Sequence, residues 1–454
     1  MVKNISGYRC KNCDFYYAKW AGKCSECGTW GSVEPDHTKA YQQQNSIFSK
    51  MKGEIIEFAD LLTETRQTKR KKTGILEFDR VLGGGIATSS SVLLSGDPGI
   101  GKSTLLLQVA NSFSGQGGKV IYISGEEATD QIIARAKRLG YTNNSQIKIG
   151  SETDLNNILT TIENETIDLL VIDSIQTIYS EQIESAPGSI NQVKACVLNL
   201  SNLAKKKSFS IIFVGHVTKD GQIAGPKLVE HMVDTVINFE SEKGFDFRIL
   251  RSVKNRFGAS NEIGVFEMTA IGLKEIKNPS ELFLSERSKT SNGSVVFAAL
   301  EGTRPVLVEV QALVSSSSLA TAKRTVVGLD SSRISMILAV LEARCGKSFV
   351  GLDVFLNVAG GIRISEPAAD LAVALALMSA INEVIVPNNA VVFGELSLSG
   401  GLRQVTQSDT RIKEAKKLGF SSIILPRRSK TSDYASLTLQ RYDNITEVTH
   451  KNAR

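Results

Sequence analysis

The chain reads as an α/β protein, with a small four-cysteine module ahead of its core and an α+β region behind it. Three observations carry that reading. Short apolar runs end in polar, glycine-bearing turns between about residues 73 and 277, four cysteines crowd into the first 27 residues, and the last third mixes strand-like segments with an Ala/Leu-rich helix. Length agrees, since 454 residues correspond to about three domains at ~150 residues each. A content of 42% hydrophobic and 22% charged residues fits a folded protein and excludes wholesale disorder. No apolar run reaches the ~18 residues that a membrane span needs; the longest, Leu371 to Met378, follows the acidic Asp370. Met1 to Trp20 has polar residues and cysteines where a signal peptide needs an apolar core, so a cytoplasmic location and no membrane contact are expected.

Cys10, Cys13, Cys24 and Cys27 form the pattern C-x2-C-x10-C-x2-C. Each pair sits on a knuckle that can aim two thiolates at one ion, and two knuckles complete a tetrahedral shell. So short a segment cannot build its own core, and structural zinc supplies roughly 10–16 kcal/mol instead. Residues 1–33 are therefore expected to be a four-cysteine zinc finger holding Zn2+. Trp20 and Trp30 flank the second knuckle and suit either stacking on bases or packing a tiny core. Cys196 and Cys345 stand apart and read as ordinary buried thiols.

Residues 34–72 turn polar, with Gln42-Gln43-Gln44 and the basic run Lys69-Arg70-Lys71-Lys72. This segment reads as a linker, with one short helix near Ile55 to Leu62. Residues 1–72 hold 13 Lys or Arg against 8 Asp or Glu, a net of +5 out of +6 for the chain. That imbalance suits a polyanion contact or a solvated linker.

The core, expected over 73–277, opens with the strand Ser91 to Ser95. It is followed by Gly96-Asp97-Pro98-Gly99-Ile100-Gly101-Lys102-Ser103-Thr104 and a helical run through Ala110. G-x-x-x-x-G-K-S between strand and helix is a phosphate-binding loop. Its glycines let backbone N–H groups point at a phosphate, Lys102 reaches the β- and γ-phosphates, and the Ser103 hydroxyl is placed for Mg2+. Asp168 to Asp173 is a buried parallel strand ending in a carboxylate that can hold the magnesium through water. Lys119 to Gly125 is another, delivering Glu126 and Glu127 at its carboxyl end, where ligands bind in open α/β sheets. One of the two can activate water, and Glu127 also suits a helix start. Ile211 to Gly215 ends at His216, a sensor candidate in a chain with four histidines. Arg251, Lys254 and Arg256 form a basic cluster after a strand expected over Phe247 to Val253, in a stretch poor in local acidic residues.

With these residues in place, Leu82-Gly83-Gly84-Gly85-Ile86 ahead of the phosphate loop resembles the RecA-type recombinase and helicase ATPases. The cysteine pattern, Gly215-His216-Val217-Thr218-Lys219-Asp220-Gly221 and Lys254-Asn255-Arg256-Phe257-Gly258 together resemble the bacterial RadA (Sms) family of DNA-repair proteins over nearly the whole chain. The resemblance implies a RecA-like P-loop ATPase core and a DNA-dependent ATPase acting in homologous recombination. Such a protein processes branched intermediates and drives branch migration on single-stranded DNA with the RecA recombinase, as a homo-oligomeric, hexameric ring. It implies that Glu126 activates water and that His216 senses the γ-phosphate at the root of a DNA-binding loop, roughly 217–230. It also implies that Lys254 and Arg256 couple nucleotide state to ring and DNA. ATP, Mg2+ and Zn2+ are the implied cofactors. No base-reading helix is evident, so little sequence specificity is expected.

From about Asn278 to the end, Leu352 to Val358 and Val391 to Leu398 read as strands and Pro367 to Ala380 as a helix. Gly394-Glu395-Leu396-Ser397-Leu398-Ser399-Gly400 resembles the Lon protease domain. A Lon-type peptidase needs a serine whose proton a nearby lysine removes. The matching stretch is Glu366-Pro367-Ala368-Ala369-Asp370, with Ala368 where the serine belongs, and Asp409 falls where the lysine belongs. Ser365 and Lys413 lie about one helical turn off, ~5 Å, too far for hydrogen-bond reach. This region is expected to be an inactive scaffold that builds the ring and contacts DNA through residues such as Lys323, Arg324, Arg333, Arg344 and Lys347. The alternatives are an ATP-dependent Lon-type protease, a zinc-dependent binding module that uses ATP as a switch, and a kinase.

Overall fold

The computed structural model describes residues 8–13, 15–17, 19–35, 69–141, 146–216, 226–241, 247–284, 292–318, 321–381 and 386–451. The chain divides into two compact units, Met1–Gln67 and Thr68–Arg454. In the first, β1 (Tyr8–Cys10) pairs antiparallel with both β2 (Tyr16–Tyr17) and β3 (Val33–Pro35). Among its described residues the buried apolar ones are Cys10, Cys24 and Val33, which is the shortage of core that a metal has to make good. Trp20 and Trp30 are 64% and 75% exposed, so neither packs that core. The short helix expected near Ile55 lies outside the described residues.

The second unit begins earlier than the sequence suggests. Residues 69–72, expected to end the linker, form β4 (Arg70–Lys71), paired antiparallel with β5 (Ile86–Ala87). Helix Leu76–Val81 and the glycine turn that caps it lie between these two strands. Basic composition concealed this strand, because Arg70 and Lys71 are committed to long-range partners (Phe257 and Asp168) that no local pattern reveals.

The central sheet has nine strands: β6 (Ser91–Gly96), β7 (Val120–Ser124), β8 (Ile147–Ser151), β9 (Leu169–Asp173), β10 (Ser210–His216), β11 (Thr235–Ser241), β12 (Phe247–Asn255), β13 (Ile263–Thr269) and β14 (Gly272–Glu275). Their order is β14-β13-β12-β11-β6-β10-β9-β7-β8. The run from β11 to β8 is parallel, and β11 through β14 is antiparallel. Strands β6, β7 and β9 are buried along their whole length, as covered parallel strands must be. Two apolar clusters lie on the faces, one around helix Lys102–Gly115 and one around helices Leu155–Glu163 and Ile190–Lys207.

The last third is built on a seven-stranded sheet of β15 (Ser294–Glu301), β16 (Arg304–Ser316), β17 (Arg324–Val327), β18 (Leu352–Val358), β19 (Ala390–Val392), β22 (Ser422–Pro426) and β23 (Thr438–Tyr442). Beside it, β20 (Glu395–Leu396) pairs with β21 (Leu402–Arg403). The strand expected over 391–398 is thus two pieces, broken at Phe393-Gly394, where a Cβ on Gly394 would lie 2.9 Å from Pro426. Helix Asp370–Ala380 is buried all round. Its apolar cluster takes in Phe247, Ile249, Ile263 and Val265 of β12 and β13, so the two sheets share one core. Ion pairs tie the regions together as well: Arg251 of β12, half-buried, meets Glu301 of β15, and Arg304 of β16 meets Glu77 of helix Leu76–Val81 in a buried pair. Among the described residues no helix is long and apolar enough to cross a membrane.

Candidate functional site

Four neighbouring strands, β6-β10-β9-β7, end side by side, and their carboxyl ends deliver the expected residues to one crevice. Register makes this concrete: His216 aligns with Gly96, and Ser124 with Asp173. Gly96 must be glycine because a Cβ would lie 2.4 Å from the Phe239 carbonyl oxygen. Gly101, at φ 113°, caps helix Lys102–Gly115 in a backbone conformation that L side chains rarely adopt. Asp97, Pro98 and Gly99 are exposed, Ile100 is buried, and Ser103 and Thr104 are half-buried at the helix start. This is the N-terminus whose unpaired N–H groups attract anions.

Lys102 is 4% exposed, and its Nζ donates to the carbonyls of Gly96 and Asp97 at 2.8 and 2.9 Å. Burial pushes its pKa below lysine's ordinary value, against the pull of Asp173, Glu126 and Asp97. An ammonium held by carbonyls alone in a dry pocket is a ready receptor for phosphate. Asp173 is buried and accepts the hydroxyl of Tyr122, whose pKa burial raises further. Glu126 Oε1 accepts from the Ser174 hydroxyl and lies 2.9 Å from His216 Nε2. His216 Nδ1 is buried and has no hydrogen-bond partner among the described residues. Glu127 turns away to pair with Arg135 of helix Thr129–Arg138, which leaves Glu126 as the carboxylate facing the crevice. Sequence reasoning missed Tyr122 and Ser174, although Ser174 directly follows Asp173 on a strand beside β7 and was open to inspection for that reason.

The basic cluster finds its partners outside its own segment. Arg251 pairs with Glu301 and, at 3.4 Å, with Glu240, and Arg256 Nη1 lies 3.3 Å from Asp234. Lys254 Nζ donates to the carbonyls of Glu230 and Val233, both at 2.7 Å. Acidic partners are absent locally but arrive from other strands. Of the loop expected over 217–230, residues 217–225 lie outside the described residues, and helix Pro226–Met232 occupies the rest.

In the first unit the four Sγ atoms lie within 4.8 Å of one another. Cys10 and Cys27 are 3.6 Å apart and Cys13 and Cys24 3.5 Å. Tetrahedral zinc with ~2.3 Å bonds needs sulfurs about 3.8 Å apart, so the residues fit Zn2+. The Cys27 N–H and the Tyr17 hydroxyl hold the Cys24 thiol down to about 6, favouring the ligand form. Cys196 is buried and Cys345 half-buried, both raised by burial.

Where a Lon-type catalytic pair belongs, Ala368 is buried at the start of its helix and its carbonyl accepts the Gly394 N–H at 2.8 Å. Arg411 forks onto Glu366 at 2.9 and 2.5 Å and thereby joins the two segments that carry Ala368 and Asp409. Asp409 accepts from the Ser432 N–H at 2.7 Å and from the Tyr434 hydroxyl at 3.0 Å, contacts that lower its pKa. Arg333 is bound bidentately by Asp370. Ser365 and Lys413 are exposed.

Comparison with known proteins adds to this geometry. A family model described as "AAA domain" matches residues 63–222, "Rubredoxin metal binding domain" matches 8–35, and "Subunit ChlI of Mg-chelatase" matches 308–429. The chain is 50% identical to the DNA repair protein RadA of Brucella abortus (strain 2308) over 436 residues, covering 94% of this chain and 93% of that one. It is 48% identical to the DNA repair protein RadA of Bacillus subtilis (strain 168) over 429 residues, covering 94% and 93%. Against that of Rickettsia felis (strain ATCC VR-1525 / URRWXCal2) it is 47% identical over 452 residues, covering 99% and 98%.

Proposed function

The chain belongs to the RadA family of DNA-repair proteins, and from that premise and the geometry of the crevice we propose that it is a DNA-dependent ATPase. It works as a helicase-type motor in homologous recombination, driving branch migration of single-stranded and branched DNA together with the RecA recombinase. A hexameric ring in the cytoplasm is the form proposed to act. The observation that carries the reading is the convergence of Lys102, Asp173, Glu126 and His216 at four adjacent strand ends.

Bound ATP·Mg2+ supplies the phosphoanhydride and the charge that holds it. Lys102 leaves the Gly96 and Asp97 carbonyls for the β- and γ-phosphates, and the backbone from Gly96 to Thr104 wraps them. Ser103 and Asp173 would hold the metal, Asp173 steadied by Tyr122. Glu126 accepts a proton from the attacking water, so its bonds to Ser174 and His216 must yield or reorient first. His216, bonded to Glu126 on one side and unpartnered on the other, is placed to report the γ-phosphate to the segment that follows it. Lys254 and Arg256 serve as the cations that couple nucleotide state to the ring and to DNA. The first 33 residues form the zinc finger, residues 34 to 67 link it to an ATPase core that takes in β4 and runs to 277, and 278–454 form a Lon-protease-like scaffold without peptidase activity.

The test is ATP turnover with and without single-stranded DNA, followed by branch migration on a three-stranded substrate. Stimulation by DNA together with ATP-dependent migration is expected. Turnover indifferent to DNA would point to the switch-like binding module instead.

A further inference from the structure

We propose that Arg70 is a positioning residue for the Lys254-Asn255-Arg256-Phe257-Gly258 loop, holding it against the glycine turn that leads to the phosphate loop. The inference rests on the reading of Lys254 and Arg256 given above. Arg70 lies in β4, opposite Ala87 of β5, and the N–H and hydroxyl of Thr88 both donate to the neighbouring Lys69 carbonyl at 3.0 Å. From that fixed base its guanidinium forks. Nη1 donates to the Leu82 carbonyl at 2.8 Å and Nη2 to the Phe257 carbonyl. Leu82 is the C-terminal cap of helix Leu76–Val81, where carbonyls lack helical partners. Phe257 lies 187 residues further along the chain.

Backbone contact at the same place gives a second, independent observation. A Cβ built on Gly83, where φ is +78°, would lie 3.3 Å from Gly258 Cα and 3.1 Å from Arg70 Nη1. Built on Gly258, it would lie 3.2 Å from Gly83 Cα. The two loops therefore touch through glycine, with no room for a side chain between them. Asn255 orders its own loop by accepting the Phe257 N–H at 2.9 Å, yet its Nδ2 is buried with no acceptor. Among the described residues, Arg70 supplies the hydrogen bonds that cross this seam.

The guanidinium reaches the two carbonyls from two separate nitrogens in a fixed planar fork, a span that the single nitrogen of a lysine in its place does not reproduce. Displacing a reacting arrangement by about 1 Å can cost on the order of 10² in rate. Arg70 thus sets where the cations of the pentapeptide stand, without touching nucleotide or DNA itself.

The experiment uses the full chain with ATP, magnesium and single-stranded DNA. Arg70→Ala should lower the DNA-stimulated kcat about tenfold while the ATP KM stays near the parent's, and Arg70→Lys should behave alike. Adding Arg256→Ala to Arg70→Ala should cost little more, because both act through one loop. Amide hydrogen exchange over residues 254–258 should rise in Arg70→Ala, a readout independent of turnover. Lys71→Ala, which removes the neighbouring ion pair to Asp168, should keep the parent's rate and exchange. Parent-like kcat and exchange in Arg70→Ala would overturn the inference, as would fully multiplicative losses in the double variant. The two possible failures separate. Parent-like Lys254→Ala and Arg256→Ala would sink the reading of the pentapeptide, whereas damaged pentapeptide variants beside an intact Arg70→Ala would sink only the role of Arg70.

Discussion

Two corners of this molecule carry polar side chains at the start of a helix, and they differ in how those groups are satisfied. At the phosphate loop, Lys102 is buried against carbonyl oxygens alone, His216 keeps a buried nitrogen without a partner, and Glu126 is held by two groups on one oxygen. At Glu366 to Asp370, both carboxylates meet an arginine, and Asp409 nearby is satisfied by neutral donors. Arg411 closes on Glu366, Arg333 on Asp370, and Asp409 on Ser432 and Tyr434. Partly satisfied groups in a crevice are poised for a ligand, while fully paired ones hold a fold together. The difference teaches that a helix start beside a glycine-bearing turn can be tied into the packing by its charges as readily as it can be left open to a ligand.

The sharpest way to break the comparison is Lys102→Ala. It removes the buried cation and no apolar packing, so ATP turnover should fall by at least about 10²–10³ with the unfolding midpoint nearly unchanged. A colorimetric phosphate assay beside thermal unfolding checks both halves.

The opposite pattern belongs to Arg411→Ala, where stability rather than turnover should suffer. Removing a fully buried guanidinium leaves Glu366 without its partner, a change that costs roughly 3–5 kcal/mol, read by denaturant unfolding.

Cys24→Ser should release zinc and disorder the first unit while the second keeps its unfolding transition, because one lost ligand opens the shell. Metal analysis that finds one zinc per chain in the variant would contradict this. The pH dependence has a definite sign. Cys24 is held down to about 6, so its thiolate persists above that value and is lost as pH falls through it. Zinc retention against a chelator should therefore decline on acidification.

Ser365→Ala and Lys413→Ala should have the smallest effects, within about 0.5 kcal/mol of the parent's stability. Casein incubated with ATP should stay intact with the parent and with both variants. Cleavage by the parent that either variant abolishes would promote the protease reading.

The apolar strands and what ends them were legible in the sequence, since buried parallel strands stay apolar along their middle and turn polar at the carboxyl end. Gly96, Asp173 and His216 stand at strand ends for that reason, with Glu126 two residues beyond the end of β7. What the sequence hid is pairing across distance. Arg304 reaches Glu77 over 227 residues and Arg251 reaches Glu301 over 50, so arginines that look unpaired locally find carboxylates far along the chain. Arg70 and Lys71 looked like linker because their partners lie far along the chain. Neither periodicity nor spacing carries such information.

The central claim is that Glu126, released from Ser174 and His216, activates water in a working site. Its most direct test is the turnover of Glu126→Gln with saturating single-stranded DNA, measured beside binding of a fluorescent ATP analogue. The variant should bind nucleotide as the parent does and turn it over at about a hundredth of the rate or less. Turnover near the parent's rate, with binding intact, would contradict the account.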